Sequence, residues 1–137
     1  TAAYLTNLGA SNVLKQEILK EEKNEYMTRQ HYIENSYIIY DKIAICPLDN
    51  KIVDKDTLAQ IAESLLQFEN IEISFCIGYI SESYVGISAR SIGTYNVETI
   101  MKQLNGGGHT TEAATQLKNI NIESAVNMLI NEIEKNR

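Results

Sequence analysis

The sequence predicts an α/β fold: a central mixed β-sheet flanked by helices, with a helical segment in front of it. Three stretches carry that prediction. Residues 71 to 80, IEISFCIGYI, put Ile71, Ile73, Phe75, Ile77 and Tyr79 on one face at a period of two, which is a strand. Leu58, Ile61, Ala62, Leu65 and Leu66 instead recur at i, i+3, i+4, i+7 and i+8, one apolar face of a helix over residues 55 to 67. Ile122, Ala125, Val126, Leu129, Ile130 and Ile133 repeat the helical period near the end of the chain. A length of 137 residues suits one core of ordinary size.

The other elements follow in order. TAAYLTNLGAS reads as the last turns of a helix closed by Gly9, after which Ser11 caps a second helix with Val13, Leu14, Ile18 and Leu19 on its apolar face. From Lys20 to Arg29 the pattern turns strongly charged, with Glu25 and Arg29 one helical turn apart. Residues 12 to 35 are therefore one or two helices with a solvated middle, suited to linking two lobes. SYIIYDKIAICPL gives two short strands around a turn at Asp41 and Lys42, and Pro47, with no N–H for a ladder, marks an edge or an exit. Asp54 or Asp56 starts the helix over 55 to 67. After the strand over 71 to 80, SES turns the chain into YVGISARSI as a hairpin. Asn96 caps a short helix with Val97, Ile100, Met101 and Leu104 inward. A glycine run follows, then a short element through EAATQL, and Asn121 caps the last helix. The organisation is a helical segment over 1–35 and an α/β domain over 36–137.

Composition narrows the function classes. With 44% hydrophobic and 22% charged residues the chain reads as a folded domain. Its apolar runs, IAIC and ISFCIGYI, fall far short of the roughly 20 residues a membrane helix needs. There is no initiator methionine, basic start or cleavage site, so the sequence reads as a piece of a longer chain without a visible secretory signal. Cys46 and Cys76 sit in separate apolar runs without CxxC spacing and read as reduced core cysteines of a cytoplasmic protein. A net charge of −6 argues against long duplex nucleic acid, whose affinity rests on Lys and Arg neutralising phosphates. The only histidines, His31 and His109, fall in different elements with no carboxylate cluster at ligand spacing, so no metal site is expected within the chain. Nor does any Ser or Cys stand in a nucleophile motif.

Two stretches carry anion chemistry. On the second hairpin strand Val85, Ile87 and Ala89 point one way, so Gly86, Ser88 and Arg90 point the other, placing a hydroxyl beside a guanidinium whose planar fork suits phosphate. Gly106, Gly107 and Gly108 lack Cβ atoms, so successive N–H groups can converge on an anion. Each glycine costs roughly 0.5–1 kcal/mol of chain entropy relative to alanine, so such a run calls for a reason. His109 belongs to the side-chain type that changes charge nearest neutral pH, which suits a donor to phosphate or to a leaving oxygen. Taken singly, a solvated sheet face and a flexible connector explain these stretches as well.

Together, GGGHTTEAAT and VGISARS some twenty residues upstream resemble the DHH-associated domain, the second lobe of DHH-family phosphoesterases. The stretch VGISARSIGTYNVETIMKQLNGGGHTTEAATQL resembles in particular the bacterial cyclic di-AMP phosphodiesterases of the GdpP type, which hydrolyse a second messenger; TAAYLTNLGAS and IVDKDTLAQIAESLL also fit that subgroup. The resemblance implies that residues 1–35 are the tail of a catalytic lobe and an inter-lobe linker, and 36–137 the substrate-binding domain. It implies that Ser88 and Arg90 face the substrate. Gly106, Gly107, Gly108 and His109 would form a glycine-histidine loop that brings backbone to a phosphate, with His109 in a catalytic role. The Asp-His-His motif and the aspartates that hold two manganese ions are absent from this sequence and belong to the other lobe. The cofactors implied are thus two Mn2+ ions outside this chain. The partners implied are a cyclic dinucleotide or short-oligonucleotide substrate, that lobe of the same parent chain, and a homodimer. A sequence without the ligand set is expected to bind and not to catalyse by itself. Competing readings are a lobe of a single-strand exonuclease or short-oligonucleotide hydrolase, and a non-catalytic nucleotide-binding or dimerisation module. The expected location is cytoplasmic, with a parent protein that in such families is often membrane-anchored.

Overall fold

A computed structural model describes the backbone of residues 2–136 and the side chains of residues 13–136. The chain divides into two units, Thr1–His31 and Tyr32–Arg137. The first lies within a single helix, α1 (Ala2–Glu34), which runs through Gly9 without the expected break. A lone glycine costs a helix only about 1 kcal/mol, which the alanines and leucines around it offset. The expected Ser11 cap concerns a side chain outside the described residues. Val13, Leu14, Ile18 and Leu19 are exposed, so they form no buried apolar face.

In the second unit, β1 (Tyr37–Ile39), β2 (Ile43–Ile52), β3 (Ile73–Tyr79), β4 (Tyr84–Ser91), β5 (Gly107–Gly108) and β6 (Glu112–Lys118) form one sheet in the order β1-β2-β3-β4-β6-β5. The helix α2 (Lys55–Leu65) is the crossover that lets β2 and β3 run parallel. The other neighbours are antiparallel, so the sheet is mixed. The β1–β2 turn centres on Tyr40 and Asp41, one residue earlier than expected, with φ of 54° and 65°. The loop holds three residues, Tyr40 to Lys42, between the paired Ile39 and Ile43. Pairing of β1 ends at Ile45, so Pro47 sits in an inner strand just past the point where one neighbour stops. Its missing N–H therefore leaves no gap in the β1 ladder.

Two layers cover the sheet. On one face Ile73, Phe75 and Ile77 of β3 join Val85, Ile87 and Ala89 of β4 under α3 (Val97–Gln103) and α4 (Ile122–Lys135). Fully burying each large apolar side chain contributes about 1.5–3 kcal/mol. On the other face Ala44, Cys46 and Cys76 pack against Leu58, Ile61, Ala62 and Leu65 of α2, together with Tyr32 and Ile33. Ile71 precedes the strand and joins this second layer, not the face of Ile73. Cys46 and Cys76 are opposite each other across β2 and β3, both buried and free; burial, with Cys46 beside it, pushes the Cys76 thiol well up.

The helix starts follow side-chain chemistry. Asp54, not Asp56, caps α2: it accepts from the Thr57 N–H at 2.8 Å and the Thr57 hydroxyl at 2.6 Å, which hold its carboxyl below the usual aspartate value. Asn96 and Asn121 cap α3 and α4 in the same manner. Among the described residues no helix is long and apolar enough to cross a membrane. The arrangement leaves an opening on the α2 face. α2 packs mainly on β3 and β4. Beyond it on the same face, Glu112, Ala114, Gln116 and Lys118 of β6 are exposed while Ala113, Thr115 and Leu117 are buried.

Candidate functional site

Antiparallel register places Tyr84, Gly86, Ser88 and Arg90 of β4 opposite Lys118, Gln116, Ala114 and Glu112 of β6. Directly paired residues share a sheet face, so this row borders the strip that α2 leaves open. The strip is a cleft of about 440 Å³, lined by Ser88, Gly106 and Ala114 and by Lys55, Tyr84 and Gln116. A second hollow of about 510 Å³ shares Lys55, Ile80, Tyr84 and Gln116 and extends to Ser81, Asp54 and Asp56. The two make one trough with a glycine at one end and two carboxylates at the other.

The three glycines turn out to serve three purposes. Helix α3 closes with Asn105 in the left-handed region at φ 65°, its N–H donating to the Lys102 carbonyl at 3.1 Å while the Gly106 N–H donates to the Met101 carbonyl at 2.7 Å. That pair of bonds is the Schellman closure, with asparagine where glycine is commoner. Gly106 then passes so close to β6 that a Cβ would collide with the Ala114 carbonyl oxygen and the Thr115 side chain. Gly108, at φ +142°, would place a Cβ 2.5 Å from both the Ala113 Cα and the Glu112 carbonyl oxygen. Gly107 differs: a Cβ there would meet nothing within 4 Å. It pairs with Ala114, which lines the cleft, so the missing side chain lies on the cleft's side of β5. Thr115 fastens the loop by donating its hydroxyl to the Leu104 carbonyl at 2.6 Å.

Part of the N–H set expected to converge on an anion is engaged within the fold. The Gly106 N–H donates to the Met101 carbonyl and the His109 N–H to the Glu112 carbonyl at 2.6 Å, while Gly107 and Gly108 lie opposite Ala114 and Ala113 of β6. What the run provides is close passage of backbone over β6 and open space at Gly107.

Of the sequence-derived site residues, Ser88 and Gly106 line the cleft, Gly107 borders it, and Arg90, Gly108 and His109 lie outside its lining. Arg90 turns toward α2, its Nε 3.2 Å from Glu63 Oε2 and its Nη1 donating to the Ala89 carbonyl at 2.8 Å. Since Glu63 is 61% exposed, that pair is worth no more than about 1 kcal/mol. His109 is exposed beyond the ladder. Nearby on α3, Lys102 holds the Glu98 carboxyl below the usual range through a 2.8 Å contact. Lys55, Tyr84, Asn105 and Gln116 line the cleft without having been singled out in the sequence. Gln116 had a legible signal, the period-two alternation of EAATQLK, once that element is recognised as a strand; Lys55 and Asn105 had none. Among the described residues no group of three or more His, Cys, Asp or Glu is placed to hold a metal ion.

The fold defines the class: an α/β domain with a mixed sheet, one face of which stays partly open. More specifically, the chain belongs to the family of the DHHA1 domain, whose profile matches residues 35–135. It is 41% identical over 137 residues to the cyclic-di-AMP phosphodiesterase GdpP of Bacillus subtilis, covering 98% of this chain and 21% of that protein. It is 39% identical over 134 residues to the cyclic-di-AMP phosphodiesterase PdeA of Listeria monocytogenes, covering 97% of this chain and 20% of that protein. The chain thus spans about a fifth of the length of these curated relatives. Among solved structures, it superposes on an exopolyphosphatase-related protein from Bacteroides fragilis with a TM-score of 0.64 at 18% identity, over 81% of this chain and 34% of that one. The C-Ala domain of Aquifex aeolicus alanyl-tRNA synthetase gives 0.57 at 15% identity, over 71% and 96%. At such identities the likeness is one of fold.

Proposed function

We propose that this chain is the substrate-binding lobe of a cytoplasmic, manganese-dependent phosphodiesterase acting on cyclic di-AMP, and that it has no hydrolytic activity by itself. The observation that carries the reading is the cleft that brings Ser88 and Gly106 together beside the open Cα of Gly107. A phosphate seated there accepts from the Ser88 hydroxyl and lies against backbone that no side chain shields. Arg90 supplies charge from the same sheet face when it exchanges Glu63 for phosphate. His109, which lies outside the cleft's lining, is assigned the proton given to the leaving oxygen in the complete enzyme. Metal ions bound outside this chain would supply the activated water; these residues hold and orient the phosphate. The relatives' named substrate and the acidic net charge of −6 favour a small dinucleotide over a long strand. The buried free cysteines support a reducing location.

Calorimetric titration of the chain with cyclic di-AMP tests the binding half of this reading. One saturable site, weakened by Ser88→Ala at unchanged melting temperature, is expected. Incubation with cyclic di-AMP and manganese tests the other half; turnover proportional to chain concentration would show that the chain catalyses unaided.

A further inference from the structure

We propose that the middle of the trough is an adenine-reading subsite, in which Tyr84 stacks on the base and the Gln116 amide reads its edge. The inference rests on the reading of the cleft as a nucleotide site and adds which residues select the base. Polarity along the trough sets the direction. Asp54 and Asp56 line the outer hollow and repel phosphate, whereas the end at Ser88, Gly106 and Gly107 carries no carboxylate among its lining residues. Phosphate thus goes to the glycine end, and the base falls on the stretch that both hollows share. Four residues make that stretch: Lys55, Ile80, Tyr84 and Gln116. They offer a half-buried phenol ring and an aliphatic side chain for a flat apolar face, and an amide for a polar edge. Among the described residues neither the Gln116 amide nor the Lys55 ammonium is engaged in a hydrogen bond or ion pair, so both polar heads are available to a ligand. The cleft's 440 Å³ is within the range of roughly 300–1,000 Å³ typical of small-ligand sites.

The choice of base follows from donor and acceptor order. An amide offers one donor and one acceptor side by side. Adenine matches it on either edge, since its N6 amino group donates beside N7 or N1, both acceptors. Guanine presents two acceptors at O6 and N7 and two donors at N1 and N2, so on those edges it matches through O6 and N1–H, with the amide turned over. Turning Gln116 into a carboxylate removes the donor and reverses the match: adenine loses one bond, and guanine gains two donors for two acceptors.

Titration of the chain, and of Gln116→Glu, Tyr84→Leu and Tyr84→Phe variants, with cyclic di-AMP and cyclic di-GMP tests this. Expected is a shift of about tenfold in the affinity ratio toward cyclic di-GMP on Gln116→Glu, at unchanged melting temperature. Tyr84→Leu is expected to weaken both ligands about tenfold and Tyr84→Phe to restore them, since stacking needs the ring and not the hydroxyl. Binding of both ligands with a ratio untouched by Gln116→Glu overturns the base assignment and leaves the nucleotide cleft standing. Absence of binding for either ligand overturns the cleft's function, and this assignment with it.

Discussion

Alanine placed in turn at Gly106, Gly107 and Gly108 separates what the fold demands from what a ligand demands. At Gly108 the backbone sits at φ +142°, where a side chain is strained by about 1–3 kcal/mol. The new methyl also meets main-chain atoms of β6 at 2.5 Å, and main chain cannot step aside as a side-chain tip can. Overpacking of that kind adds about 1–3 kcal/mol, so a total of about 2–6 kcal/mol is expected. At roughly 4 °C per kcal/mol for a domain of this size, the melting temperature falls by about 8–24 °C. Gly106→Ala carries only the overpacking part, a fall of about 4–12 °C. Gly107→Ala meets nothing and has no positive φ, so it is expected to be neutral or to gain up to about 1 kcal/mol from a less flexible unfolded chain. Its methyl nevertheless stands on the cleft's side of β5, so affinity for cyclic di-AMP should drop even as stability holds. Circular-dichroism melts of the three variants, with calorimetric titration of Gly107→Ala, make the measurement. A Gly107→Ala variant as unstable as Gly108→Ala would refute the packing argument; one that is stable and binds normally would refute the close approach of backbone to phosphate.

Glu63→Gln releases Arg90 from its 3.2 Å partner and is expected to strengthen dinucleotide binding, while Arg90→Met weakens it and costs at most about 1 kcal/mol of stability; if affinity ignores both changes, Arg90 is a strut between β4 and α2. Thr115→Val removes the 2.6 Å bond to Leu104 and leaves a buried carbonyl unpaired, a loss of about 1–3 kcal/mol read by urea denaturation. Asp54→Ala removes the α2 cap at about 1 kcal/mol. Because the Asp54 carboxyl is held below its ordinary value in the fold, its contribution is complete above that value and disappears as pH falls through the lower folded one. The stability gap between wild type and Asp54→Ala should therefore be full at neutral pH and close on acidification, and a gap that widens in acid contradicts the assignment.

Local periodicity determined a good part of this protein. The stripe of α2, the caps at Asn96 and Asn121, and the sorting of Gly86, Ser88 and Arg90 away from Val85, Ile87 and Ala89 depend only on residues a turn or a pleat apart, and all were legible in the chain. So was the family, since its motif lies in contiguous stretches. Strand order was not, because it is decided by which faces can be buried together. Only the placement of β6 beside β4 joins Gln116 and Ala114 to Ser88 in one cleft. The same holds for Arg90, whose partner Glu63 lies 27 residues away on another element, and for the glycine run, whose members differ because β5 passes over β6 in one register and not another. Sequence sets what each residue can do within its own turn of chain; long-range register and burial, which no short window contains, set which of those residues meet.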